Sequence, residues 1–170
     1  MLSDAAREEI AALAGRYPEG KRKSAVMPAL YVAQRDHGWL SPELMREVGE
    51  LLGLPPVHVA AVATFYTMYE KEPAGANIID VCTNISCLLC GAEEILAHLE
   101  QRLGIKAGAT TADGKITIRE QECIGACAAA PALQVNYRFH ENLTVEKVDA
   151  ILDALMAGQP LQSPEEVAHG

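Results

Sequence analysis

Two short cysteine pairs constrain this chain more than any other feature of its sequence. Cys82 and Cys87 are spaced C-x4-C, Cys123 and Cys127 are spaced C-x3-C, and about 35 residues separate the pairs. Each pair follows a stretch with strand character and sits in a loop of small residues. Thiolates are soft ligands that select iron–sulfur clusters, zinc or copper(I). Four of them converging from two loops complete the ligand set of a [2Fe–2S] cluster, so a fold that uses them must carry both loops to one place. Such a chain is an electron carrier rather than a catalyst of bond chemistry.

The chain has 170 residues. That length holds one ordinary domain, or a small one with a helical appendage. No apolar run approaches the roughly 18 residues of a membrane span. The N-terminus, Met1 to Ile10, lacks the apolar core of a signal peptide and is too acidic for a transit peptide. The chain therefore reads as a bacterial cytoplasmic protein. In a reducing compartment its five cysteines point to metal ligation or redox chemistry rather than structural disulfides, and the odd count leaves at least one outside a four-ligand site.

The net charge of −9 is unevenly spread. Residues 1–75 carry 10 acids and 8 bases, whereas residues 76–170 carry 13 acids and 6 bases. Nucleic acid is excluded as a free partner, because affinity for phosphate rests on a basic surface. Negative charge around a cluster also disfavours adding an electron, which predicts a low reduction potential.

The first 70 residues predict helices. Leu2, Ile10 and Leu13 mark one that ends near Gly15; Val26, Met27, Leu30, Tyr31 and Ala33 mark a second that runs to Gly38. Pro28 fits the second only within its first turn. Ser41-Pro42 starts a third, stopped by Gly53, and a fourth runs from Pro55-Pro56 towards Phe65. After the linker Lys71–Gly75 the pattern changes. Strands are predicted at 77–81, 115–119 and 132–135, with a hairpin-like turn at Asp113-Gly114. Helices are predicted from Gly91 to Leu103, with Ile95, Leu96 and Leu99 inward, and from about Val145 to Gly158. With Asn142-Leu-Thr-Val145 leading into the last helix, the order β–α–β–β–β–α suits a thioredoxin-like α/β layer. The predicted organisation is an N-terminal helical domain over 1–74, an α/β domain over 75–158 and a loose tail over 159–170.

The cysteines admit four chemical readings. A tetrathiolate cluster uses Cys82, Cys87, Cys123 and Cys127, with Gly125 allowing close backbone approach and Thr83, Asn84 and Ser86 available as hydrogen-bond donors. A plant-type ferredoxin uses Cys82, Cys87, Cys90 and one later cysteine, a spacing that also fits. A thiol–disulfide enzyme uses Cys87-Leu-Leu-Cys90 between a strand and a helix start. A zinc site uses Cys87, Cys90, Cys123 and Cys127.

The segments Cys82-Thr-Asn-Ile-Ser-Cys87 and Glu122-Cys-Ile-Gly-Ala-Cys127 resemble the thioredoxin-like [2Fe–2S] ferredoxin subunits, the E subunits of NADH-quinone oxidoreductase. Val62-Ala-Thr-Phe-Tyr66 with Tyr69, Gly114-Lys-Ile-Thr and Ala130-Pro-Ala-Leu-Gln-Val-Asn136 extend the resemblance over roughly residues 20–155. The resemblance implies an α/β thioredoxin-like [2Fe–2S] domain preceded by a helical bundle. It also implies one [2Fe–2S] cluster on Cys82, Cys87, Cys123 and Cys127, with Cys90 outside. The implied partner is a flavoprotein subunit that binds FMN, NADH and a [4Fe–4S] cluster, among the other subunits of the peripheral arm. It places the chain, without a membrane span, on the cytoplasmic face of the bacterial inner membrane. Equivalent subunits of NAD-linked hydrogenases and formate dehydrogenases share the motifs. No independent catalytic site is implied, and the absence of G-x-G-x-x-G and of a P-loop agrees with that.

Other residues have plainer readings. Phe65, Tyr66 and Tyr69 either dock the flavoprotein or pack in a core. Glu120 and Glu122 are solvated loop carboxylates near Cys123. Trp39 packs beneath the helices, Cys90 is a buried neutral thiol, and the five histidines show no ligand spacing.

Overall fold

The computed structural model describes residues 1–18 and 20–159. The expected tail therefore lies, except for Gln159, outside the described residues. The chain divides into two compact units, Met1–Pro73 and a second that begins at Ala74.

The first unit holds α1 (Asp4–Gly15), α2 (Val26–His37), α3 (Pro42–Leu52) and α4 (Pro56–Phe65). The predicted start signals at Ser41-Pro42 and Pro55-Pro56 operate: the Ser41 side chain accepts from Leu44 N–H, and Pro42 and Pro56 open their helices. Ser3, which the sequence reading did not single out, caps α1 in the same way by accepting from Ala6 N–H. Pro28 is the third residue of α2, where its missing N–H costs no intrahelical bond. Ile10, Leu30, Leu40, Val48, Val59 and Tyr69 form the fully buried centre. Its closing segment is tied by side chains. The Tyr69 hydroxyl donates to the Met27 carbonyl at 2.9 Å, and Gln34 bonds both Met68 O and Glu70 N. Trp39 is only half-buried and is not packed against this core, so it does not lie beneath the helices as expected.

The second unit is a four-stranded sheet in the order β2-β1-β3-β4, with β1 (Asn77–Cys82), β2 (Ile116–Gln121), β3 (Leu133–Val135) and β4 (Arg138–His140). β1 and β2 are parallel, and the other pairings are antiparallel. The connection from β1 to β2 runs through α5 (Ile85–Leu89) and α6 (Ala92–Leu103), and α7 (Val145–Met156) closes the unit. Alternation along the strands puts Ile79, Val81, Ile116, Ile118, Leu133 and Val135 against Ile95, Leu99, Val148, Ile151, Leu152 and Leu155. Leu96 lies at the margin of this core rather than inside it. Asp80 alternates to the other face, where it is buried and accepts from Arg119 Nε at 2.9 Å. The expected turn at Asp113-Gly114 precedes β2, and an isolated antiparallel bridge joins Thr110 to Thr117 across it. Among the described residues no helix is long and apolar enough to cross a membrane.

Candidate metal centre

Parallel register builds the site. Cys82 is the last residue of β1 and lies beside Gln121, the last of β2, so both strands discharge their following loops at one end of the sheet. Thr83 N donates to Gln121 O at 3.0 Å and prolongs the ladder one step past Cys82. Cys82 is 2% exposed and Cys87 1%, whereas Cys123 and Cys127 are exposed.

Cys87 does not lie in a loop as expected. It sits in α5, a five-residue helix capped by the Asn84 side chain on Ile85 N and closed by Leu88 N on Asn84 O at 2.8 Å. The second pair occupies a true loop. Gly125 has φ +85°, a backbone that side chains rarely adopt, and a short 3-10 turn begins at Cys127. A Cβ at Gly125 would meet nothing within 4 Å, so backbone angle, not space, requires glycine there.

The Cys82 thiol neighbours those of Cys87 and Cys123, and Cys127 is near enough to Cys87 for their charges to interact. Burial opposes ionisation of Cys82. The N–H groups of Asn84 and Ile124, with the neighbouring Cys87 and Cys123 thiols, outweigh it and hold its pKa below that of an ordinary thiol. Burial pushes the Cys87 thiol up to about 11; its proton-sharing with Cys82 adds to this, and the Ala132 N–H pulls the other way. Four unpaired thiols with backbone N–H groups aimed at sulfur are a donor set suited to a [2Fe–2S] cluster.

Cys90 is exposed, a correction to the expected buried thiol. It caps the C-terminus of α5, with its N–H bonded to Ser86 O and Cys87 O, and it enters none of the thiol contacts above. The plant-type and zinc sets both require it. Among the described residues no three His, Cys, Asp or Glu side chains are gathered closely enough to hold a metal ion, and this applies to every cysteine set alike. The thiol–disulfide set fares no better, because a nucleophilic cysteine needs access and a lowered pKa, and Cys87 has neither.

The polar neighbours also differ from expectation. The Thr83 hydroxyl donates to Glu120 Oε1 at 2.9 Å rather than to sulfur, so Glu120 is not merely solvated. The Asn84 side chain is spent on α5, and it is the Asn84 backbone that reaches Cys82. Sequence reasoning missed the N–H groups of Ile124 and Ala132, because a backbone donor has no residue signature. Phe65 is 76% exposed and Tyr69 fully buried, so the aromatic trio divides between surface and core.

Comparison with known proteins identifies the family. The family described as thioredoxin-like [2Fe–2S] ferredoxin matches residues 10–156. The chain is 46% identical over 162 residues to an E subunit of NADH-quinone oxidoreductase, the one numbered 2, of Rhizobium meliloti, covering 95% of each. It is 39% identical to NADH-quinone oxidoreductase subunit 2 of Thermus thermophilus, covering 88% of this chain and 83% of that one. Among solved structures, an NAD+-reducing [NiFe]-hydrogenase in the air-oxidized state superposes with a TM-score of 0.72 at 27% identity. That match covers 83% of this chain but only 24% of the hydrogenase chain. The chain belongs to the thioredoxin-like [2Fe–2S] ferredoxin family, and membership implies a [2Fe–2S] cluster.

Proposed function

We propose that this chain is the electron-carrying E subunit of an NADH-quinone oxidoreductase, with Cys82, Cys87, Cys123 and Cys127 as the ligands of its [2Fe–2S] cluster. The discharge of both cysteine segments at one end of a parallel strand pair, with Cys82 beside Cys87 and Cys123, supports the reading. When bound, the cluster takes up and returns one electron at a time. The chain's own residues do the rest. Asn84, Ile124 and Ala132 direct N–H groups at sulfur and stabilise thiolate charge. Cys82 and Cys87 root the site in the sheet and α5, while Cys123 and Cys127 present it at the surface.

The partner is a flavoprotein subunit with FMN, NADH and a [4Fe–4S] cluster, within the peripheral arm on the cytoplasmic face of the inner membrane. Residues 1–74 and 75–158 act as separate domains, followed by the tail 159–170. Identity near half along 95% of both chains favours the quinone reductase. The hydrogenase similarity supports a second reading, the equivalent subunit of an NAD-linked hydrogenase, at lower identity. Anaerobic purification tests both. The expected product is red-brown, holds about two irons per chain, and gives one reducible centre by EPR. Co-purification with a flavoprotein and quinone-reductase subunits supports the first reading, and hydrogenase subunits in their place support the second. A colourless chain with a reversible Cys87–Cys90 disulfide defeats both.

A further inference from the structure

The Thr83 side chain joins the two cysteine segments, reaching Glu120 Oε1 closely and Gln121 O at 3.5 Å. Thr83 follows Cys82 directly, and Glu120 stands three residues before Cys123. The Thr83 hydroxyl donates to Glu120 Oε1 at 2.9 Å, while the Thr83 N–H donates to Gln121 O at 3.0 Å. Thr83 thus holds the departing end of β2 through both its backbone and its side chain. The bond lies near the surface, but Thr83 is itself half-buried and its acceptor is charged, which strengthens it. Cys82 lies immediately inside this link, with its thiol 4.0 Å from the Glu122 carbonyl on the same opposing segment.

We infer that Thr83 and Glu120 form a clamp that fixes the separation of the two cysteine segments, so that Thr83 is a positioning residue for the cluster and Glu120 a negative charge held at constant distance from it. The inference rests on the proposed ligand set. It explains why a hydroxyl beside Cys82 turns away from sulfur, and why Glu120, though exposed, keeps a fixed place.

Four substitutions separate geometry from charge. Thr83→Val keeps shape and loses the donor; Thr83→Ser keeps the donor. Glu120→Gln keeps an acceptor and loses the charge; Glu120→Ala loses both. In the full-length, anaerobically purified chain, iron release to a chelator should be about fivefold faster in Thr83→Val and Glu120→Ala, the scale of one lost hydrogen bond. The double variant Thr83→Val/Glu120→Ala should be no faster than either single one. Thr83→Ser and Glu120→Gln should retain iron and keep the wild-type EPR g-values, whereas Thr83→Val shifts them. Glu120→Gln should nevertheless raise the reduction potential. Wild-type behaviour of Thr83→Val, loss of iron by Thr83→Ser, or additive effects in the double variant overturns the clamp. If the wild-type chain holds no iron, the ligand assignment fails, and the clamp is judged on thermal unfolding of the metal-free chain. There, non-additive losses for the same pair support it and additive losses overturn it.

Discussion

The two cysteine segments solve one problem by opposite means. Cys82 and Cys87 are held by secondary structure, the end of β1 and the body of α5, and both are buried. Cys123 and Cys127 are held by loop conformation, a left-handed glycine and a single 3-10 turn, and both are exposed. A buried thiol is fixed by its neighbours, but it must be relieved of its proton against desolvation. An exposed thiol lacks that packing and relies on the conformation of its loop to stay in place. Joining one pair of each kind gives a site that is anchored on one side and open to a partner on the other.

The largest expected effects come from the sulfurs themselves. Cys87→Ser should abolish the visible spectrum, because a serine fixed in α5 cannot move to meet iron. Cys123→Ser should leave an altered, serine-ligated spectrum, since its loop can adjust. Cys90→Ser should leave absorbance and iron content unchanged. A bleached Cys90 variant would break the comparison outright and restore the plant-type ligand set.

Alkylation gives the next largest contrast. In the metal-free folded chain, iodoacetamide should modify Cys90, Cys123 and Cys127 quickly and spare Cys82 and Cys87 until denaturant is added, as peptide mass mapping would read. Fast labelling of Cys82 would mean that the first segment is not anchored as described.

Backbone substitutions rank below these. Gly125→Ala should cost about 1–2 kcal/mol, the penalty of a left-handed conformation at a residue with Cβ, measured by chemical unfolding. Asn84→Ala should cost about 0.5–1 kcal/mol through loss of the α5 cap. A reversed order would show that the second loop is less constrained than its φ of +85° implies.

The smallest effect is in pH. The Cys87 thiol is raised from 9.0 to about 11 in the folded chain, so folding favours its protonated form. That contribution is complete below about pH 9 and is lost as pH rises through about 11. Melting temperatures of the metal-free chain over that window should fall more steeply for wild type than for Cys87→Ala. Parallel curves would remove the Cys87 proton from the account.

Most of the fold is legible in the sequence because its signals are local. Ser41-Pro42, Gly53, Gly104 and the alternation of Ile116 to Ile118 each mark an element within a few residues. The failures have one cause, namely elements too short to show a period. α5 has five residues and β4 three, and the latter exists because Arg138 to His140 pairs with β3, a partner known only from the folded chain. The exposure of Cys90 escapes the sequence for the same reason: without α5 in view, this cysteine falls at the mouth of the following helix. The thiols themselves can be proposed from spacing, whereas the N–H donors and the Thr83–Glu120 bond depend on β1 and β2 lying in register.

That register also sets the order in which the molecule can be made. The parallel pair joins residues 39 positions apart, Asn77 with Ile116 through Cys82 with Gln121, so its loop closes only when the apolar faces of the sheet and of α6 have already met. The pocket for metal is therefore a late product of folding and not its seed. Unlike a zinc finger, which gains its structure from the ion, this chain has two apolar cores that contain no cysteine, beside a small one of Cys82, Cys87, Ala92 and Ala132, so the two larger cores are expected to fold without metal.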